Sequence, residues 1–201
     1  MKSKKIFKAT FLVMVITIVS RFLGLIRDSL VAYYFGASAI TDAYKAAVMV
    51  PETLFTIIGL GVSTVFIPML SKIRYRDSKK KMFEFANNVI GILVILSLSI
   101  FILGNIFTEN IVLAINLTRI SLINLLFMSI NVCFLSILQV CEDFVIPSIL
   151  GMFFNAPIIL YLIIFKDVNI LGVTIANVIG NILRVVVQIP SLYRQGYNIK
   201  F

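Results

Sequence analysis

The fold class is decided by an apolar run near the N-terminus, FLVMVITIVSRFLGLIRDSLVAYYF, at residues 11–35. This run is longer than the roughly 20 residues that an α-helix needs to cross a bilayer. Lysines precede it, as in a signal peptide, but no cleavage motif of small residues follows it, and Arg21 interrupts its middle. We therefore predict an uncleaved first membrane helix over residues 6–35.

The whole chain shares the apolar character of this run. Of its 201 residues, 60% are hydrophobic and only 13% are charged, and the mean hydropathy is +1.06. Soluble domains are about half apolar and about a quarter charged. Because a globule of this length could not hide so much apolar surface from water, the composition predicts a protein surrounded by lipid.

Five further apolar stretches, each bounded by charged or turn residues, are long enough to span a membrane. The chain is therefore predicted to be an all-α polytopic membrane protein, with residues 1–201 forming one bundle of six transmembrane helices. The predicted helices cover residues 6–35, 39–70, 83–103, 119–140, 144–165 and 170–192. Pro51 and Pro157 lie inside two of them, which membrane helices tolerate where neighbouring groups satisfy the freed carbonyls.

The distribution of lysine and arginine predicts the orientation of the bundle. The N-terminal segment, the loop 72–81 and the C-terminal tail together carry twelve, whereas the loops on the opposite side carry only Arg119 and Lys166. Positive residues accumulate in cytoplasmic loops, so both termini are predicted to be cytoplasmic. The net charge of +9 then has a topological cause and does not point to nucleic acid.

Residue types that carry catalysis and metal binding are scarce. The chain has no histidine, and its two cysteines, Cys133 and Cys141, would lie about 12 Å apart on a helix, too far for a disulfide. We interpret both cysteines as packing residues. Zinc sites and Cys–His nucleophiles lack partners here, so we expect no metal, no cofactor and no enzymatic activity.

The first predicted helix carries a polar stripe. Ser20, Gly24, Arg27 and Asp28 fall with Arg21 on one arc of its surface at 100° per residue. Charged side chains within the hydrocarbon are costly and usually face the bundle interior or a wet cavity. We interpret the stripe as such an interior surface. The alternative is that Arg27 and Asp28, which lie near the outer end of the helix, extend their charged groups to the membrane–water interface.

Two other predicted helices carry similar stripes. Asp42, Lys45 and Glu52 share one face of the second helix, and the sixth helix carries the polar residues Asn177, Asn181, Arg184 and Gln188. Asp42 and Lys45 could instead form a local ion pair, and amide side chains often only join neighbouring helices. Together the stripes predict a hydrated cavity whose guanidinium groups suit an anion such as phosphate or pyrophosphate.

The segment SRFLGLIRDSLVAYYFGASAITDAY, residues 20–44, resembles the opening signature of the MviN/MurJ family. Three later segments are also similar to that family: VSTVFIPMLSK (62–72), FVIPSILGMFFN (144–155) and QIPSL (188–192). The resemblance covers the whole chain and is most specific in residues 20–44.

This resemblance implies a fold and an activity. The family's fold has two lobes of six helices around a central cavity, and its members flip lipid II from the cytoplasmic to the outer leaflet. The chain would then be the N-terminal lobe only, a truncated or split form, in the inner membrane of a bacterium. Its implied partners are lipid II, the surrounding membrane lipids and a second six-helix lobe, and nucleic acid is not among them.

The resemblance also implies site residues. Arg21 and Arg27 match two family arginines implicated in binding the pyrophosphate, and Asp28 and Asp42 match acidic motif positions. Many members carry an arginine pair and a glutamate where this chain has Phe55, Thr56 and Leu60. The predicted substrate-binding residues are Ser20, Arg21, Gly24, Arg27, Asp28, Asp42, Glu52, Asn181 and Arg184.

Other functions remain open on the sequence. An exporter of another polyprenyl-pyrophosphate glycan, such as a capsule or O-antigen unit, would use the same arginine chemistry. A lone lobe could also be a non-transporting assembly subunit. An enzyme acting on such lipids is disfavoured, because the cytoplasmic loops offer only the carboxylates Asp77, Glu142 and Asp143 and no histidine.

Overall fold

The computed structural model describes residues 2–107 and 113–198, and these two ranges contain helices and no β-strand. The helices are α1 (Lys2–Phe35), α2 (Ala39–Gly61), a π-helical segment (Val62–Phe66), α3 (Ile67–Arg76), α4 (Lys79–Phe107), α5 (Leu113–Ser121), α6 (Asn124–Val140), α7 (Val145–Ile164) and α8 (Ile170–Arg194). The predicted all-α fold is confirmed. Lys200, which contributes to the predicted charge pattern, lies outside the described residues.

Five helical stretches in the described ranges are long and apolar enough to cross a membrane: Thr10–Phe35, Lys79–Ile106, Leu113–Val140, Val145–Ile164 and Ile170–Arg194. The third of these joins α5 to α6 through a turn at residues 122–123. Large apolar side chains on these helices are widely exposed, for example Phe22 at 63% and Ile95 at 67%. Such a surface is stable in lipid and would drive association in water.

The second predicted span differs from the observed structure. In the part of the chain that the structure describes, α2 is not among the five long apolar stretches, and it carries the charged residues Asp42, Lys45 and Glu52. In place of one helix over 39–70, the chain runs through α2, the π-helical segment and α3 as far as Arg76. Pro68, in the first turn of α3, lacks the N–H that a regular α-helix uses, which fits the change of helix type just before it.

Two apolar clusters hold the bundle together. The first joins the π-helical segment, α3, α4 and α6 to the C-terminal tail, where Tyr197 packs at 1% exposure against Phe83 and Phe134. Cys133 and Cys141 are free, buried members of this cluster. The second cluster lies among α1, α2, α5, α7 and α8, and includes the residues Val31, Tyr44, Ala47, Leu117, Phe154, Ile158 and Val173. Val31, Tyr44 and Phe154 of this second cluster also line a cavity that contains charged side chains.

Candidate functional site

A cavity of about 580 Å³ lies between α1, α2, α7 and α8, close to the turn that joins α1 to α2. Its charged lining residues are Arg27, Asp28, Asp42, Lys45 and Glu52. A smaller cavity of about 50 Å³ adjoins it, shares Glu52, Phe154 and Asn177 with it, and adds Asn181 and Arg184. The two cavities therefore bring three cations and three carboxylates together inside an otherwise apolar bundle.

Arg27 is the best-anchored cation of the cavity. Its Nε and Nη2 atoms contact Oδ1 of Asp28 at 2.9 and 2.8 Å. Its Nη1 atom donates to Oδ1 of Asn155 on α7 at 3.0 Å. Asn155 is 6% exposed, and its own Nδ2 atom donates to the carbonyl oxygen of Ser20 at 3.3 Å. The guanidinium is thus oriented from two helices, which limits the rotamers that it can adopt.

The ring of Phe154 lies beside two guanidinium groups. Cζ of Arg27 is 5.4 Å from the ring centroid, and Cζ of Arg184 is 4.0 Å from it. Both distances are within the range in which a cation is attracted to the negative face of an aromatic ring. The ring of Phe154 on α7 therefore contacts the guanidinium groups of both Arg27 on α1 and Arg184 on α8.

Arg184 presents an unsatisfied donor to the smaller cavity. Its Nη1 atom donates to Oδ1 of Asn181 at 3.4 Å, whereas its Nε atom is buried without a hydrogen-bond partner among the described residues. Oδ1 of Asn124, which lines the same cavity, is also buried without a partner there. Because one water needs about 10–15 Å³, this cavity has room and polar partners for water.

The amide side chains of α8 also join helices. Nδ2 of Asn124 on α6 donates to Oδ1 of Asn177 at 3.0 Å, and Nε2 of Gln188 donates to Oδ1 of Asn131 on α6 at 2.9 Å. Both α8 residues are buried. Asn177 and Gln188 thus have the packing geometry that polar residues of membrane helices commonly adopt, and Asn177 in addition lines both cavities.

The structure divides the predicted site residues into two groups. Arg27, Asp28, Asp42, Glu52, Asn181 and Arg184 line one or both cavities. Ser20 and Gly24 instead lie against α7: a Cβ atom built on Gly24 would be 3.7 Å from Nδ2 of Asn155, and the Ser20 hydroxyl occupies the space that a Cβ on Gly151 would need. Gly151 therefore leaves the room in which Ser20 lies against α7, whereas a Cβ on Gly24 would make only an ordinary van der Waals contact.

Arg21 is exposed and lines neither of these cavities. It precedes Asp28 by seven residues, so it lies on the same side of α1, about 10 Å further along the helix axis. In the part of the chain that the structure describes, ion pairs join Arg27 to Asp28 and Lys81 to Asp77, and none joins Asp42 to Lys45.

Three residues of the site carried little signal in the sequence. Phe154 and Tyr44 look like ordinary apolar helix residues, and Asn155 stood out only as part of a motif. Tyr44 lines the larger cavity, and the contacts of Phe154 and Asn155 with Arg27 join residues more than 100 positions apart. Phe55 and Thr56, at which the family resemblance implied an arginine pair, line neither cavity: Phe55 packs on the first cluster, and the Thr56 hydroxyl donates to the Glu52 carbonyl at 2.8 Å.

Comparison with known proteins gives a consistent result. A family profile described as lipid II flippase MurJ matches residues 31–201. The chain is similar to the probable lipid II flippase MurJ of Buchnera aphidicola subsp. Schizaphis graminum, with 31% identity over 94% of this chain and 40% of that protein. It is similar to the lipid II flippase MurJ of Thermosipho africanus, with 30% identity over 94% of this chain and 42% of that protein.

A solved structure gives the same match. It is titled as lipid II flippase MurJ in an inward closed conformation, and it superposes with a TM-score of 0.72 at 28% identity, covering 95% of this chain and 43% of the other. The chain therefore spans about 40% of the length of the relatives that it matches.

Proposed function

The chain belongs to the lipid II flippase MurJ family, and from this membership we propose that it forms the N-terminal lobe of a flippase that moves lipid II across the cytoplasmic membrane of a bacterium. The profile match over residues 31–201 and the structural match to about two fifths of a flippase support this assignment. The lobe would lie in the inner membrane with both termini in the cytoplasm, as the charge pattern predicts.

The proposed role of the cavity is to bind the pyrophosphate of the lipid-linked precursor. The observation that carries this proposal is the Arg27 guanidinium, held at the cavity wall by Asp28 and Asn155. A guanidinium presents parallel donors that match phosphate oxygens, and its attraction for an anion is stronger where water is scarce. Arg21, further along the same side of α1, would contact the same ligand or its carrier.

A second lobe would complete the site. The chain accounts for about 40% of the length of its relatives. The exposed residues Asp28, Asp42 and Glu52 line the cavity where α1 and α2 border it, and Arg21 is exposed on the same side of α1 as Asp28. Exposed charges in a hydrocarbon environment are costly unless another surface or water covers them. We propose that a second six-helix lobe covers this side and that lipid II is bound between the two lobes.

The test uses cells whose growth depends on this chain completed with its second lobe. Arg27→Lys and Arg21→Lys keep the charge but lose the planar donor fork, so we expect less lipid II in the outer leaflet at unchanged membrane insertion. Lys45→Ala is the comparison variant and should have a smaller effect, because the Lys45 ammonium lacks the planar donor fork that matches phosphate oxygens. Normal flipping by both lysine variants, together with loss in Lys45→Ala, would place the anion site on α2 instead.

The same experiment separates the alternative substrates. If depletion of the chain traps a capsule or O-antigen lipid in the inner leaflet while lipid II is flipped normally, the protein exports that other polyprenyl-pyrophosphate glycan. If no lipid is trapped and a cell-wall complex fails to assemble, the chain acts as an assembly subunit.

A further inference from the structure

Phe154 on α7 is the residue at which the two half-buried arginines of the cavities meet. The Cζ atoms of Arg27 and Arg184 lie 5.4 and 4.0 Å from its ring centroid, so the distance between them cannot exceed the sum of these values. We propose that Phe154 is a positioning residue that holds Arg27 and Arg184 as one composite anion site for the two phosphoryl groups of a pyrophosphate. This inference rests on the proposed function and assigns the second cation of that site.

Two like charges at such a separation repel each other, so the arrangement needs an offsetting interaction. The ring supplies one, because its face is electronegative and attracts both guanidinium groups. Glu52 supplies another, since its carboxylate lies within electrostatic range of both arginines. An anion bound between the two guanidinium groups would counter their mutual repulsion most strongly. It would also give the buried Nε of Arg184 the acceptor that it lacks among the described residues.

A glycine on α8 allows this arrangement. A Cβ atom built on Gly180 would be 2.5 Å from the carbonyl oxygen of Phe154 and 3.0 Å from Cδ2 of its ring. Only a glycine therefore lets α8 approach α7 this closely. Arg184 follows Gly180 by four residues and lies on the same face of α8, so the close approach brings its guanidinium over the Phe154 ring.

Phe154 is 9% exposed and belongs to the second apolar cluster, so a purely structural role is the competing explanation. The two explanations differ in what an aliphatic side chain would do. Leucine would keep most of the apolar contact but lose the electronegative face. Tyrosine would keep the face. A packing role predicts a change in stability alone, whereas a positioning role predicts a change in anion affinity that depends on Arg184.

The experiment measures the binding of inorganic pyrophosphate to the purified 201-residue chain in phosphatidylcholine nanodiscs. We expect Phe154→Leu to raise Kd about ten-fold, as for the loss of desolvated cation–π contacts, and Phe154→Tyr to stay close to the wild type. Phe153→Leu is the matched control, because this neighbouring ring is 37% exposed on the outside of α7 and should leave Kd unchanged. If the Phe154→Leu variant does not insert into the membrane, Phe154→Met is measured in its place, and the same ten-fold rise in Kd is expected.

A double-mutant cycle tests the coupling to Arg184. Arg184→Gln should weaken binding in the wild type and have much less effect in the Phe154→Leu background. Additive effects, or a normal Kd in Phe154→Leu, would overturn the proposal, as would a wild-type chain that binds no pyrophosphate. Lipid II flipping by the completed protein is measured separately, so loss of the composite site and loss of the proposed function give different results.

Discussion

The Nη1 atom of Arg27 on α1 donates a 3.0 Å hydrogen bond to Oδ1 of Asn155 on α7, across 128 residues of chain. The same amide donates from Nδ2 to the carbonyl of Ser20, so one asparagine joins α7 to α1 at two levels. The orientation of the cavity arginine therefore depends on α7 as much as on its own helix.

Replacing Asn155 by leucine should lower the stability of the α1–α7 contact by about 1–2 kcal/mol, because the half-buried Arg27 guanidinium loses one acceptor and the Ser20 carbonyl loses one donor. Thermal unfolding of the purified chain in detergent measures this effect. Asn105→Ala is the control, since the Asn105 side chain donates to the Phe101 carbonyl of its own helix. Equal shifts of the unfolding midpoint in the two variants would contradict a stabilising role for the hydrogen bonds between α1 and α7.

Gly180→Ala should destabilise the α7–α8 interface by about 1–3 kcal/mol, because its Cβ would meet the backbone of Phe154 at 2.5 Å. Gly91→Ala on α4 is the matched control, since a Cβ there meets nothing within 4 Å. That substitution should be neutral or stabilise α4 by up to about 1 kcal/mol. Unfolding midpoints of both variants check the pair, and a stable Gly180→Ala protein would show that the helices can separate without cost.

Glu52→Gln should increase the affinity for pyrophosphate about three- to ten-fold, because it removes one of the three carboxylates that balance the cations of the two cavities. The gain should shrink as salt is added, since mobile ions screen partly exposed charges. Glu84→Gln makes the same charge change at an exposed position on α4 and should leave Kd unaltered. A higher Kd in Glu52→Gln would mean that the Glu52 carboxylate holds Arg27 and Arg184 in place.

Single cysteines test the orientation of the bundle. In a chain with Cys133 and Cys141 replaced, Ser38→Cys in the α1–α2 turn should react with an impermeant maleimide added outside intact cells. Ser78→Cys, in the basic turn between α3 and α4, should react only after the membrane is permeabilised. The opposite pattern would invert the predicted topology.

The sequence by itself determined the fold class and the family. Transfer of a helix into lipid depends on the summed hydropathy of about 20 consecutive residues, which is a local property. The motif of residues 20–44 is local as well, and the family assignment that it implied is confirmed by the profile match. The helical period alone also placed Arg27, Asp28, Asp42 and Glu52 on inward stripes, and all four line the larger cavity.

Only the tertiary structure decided which of these groups meet. Arg21 and Arg27 share one stripe, yet Arg27 lines the cavity and bonds Asn155 on α7, whereas Arg21 is exposed and lines neither cavity. In the sequence, Phe154 cannot be distinguished from the other apolar residues of its helix. In the structure, the guanidinium groups of Arg27 on α1 and Arg184 on α8 both lie against its ring. Helical periodicity determines the helix face on which a residue lies. Which residues contact that face is set by the packing of helices that are far apart in sequence.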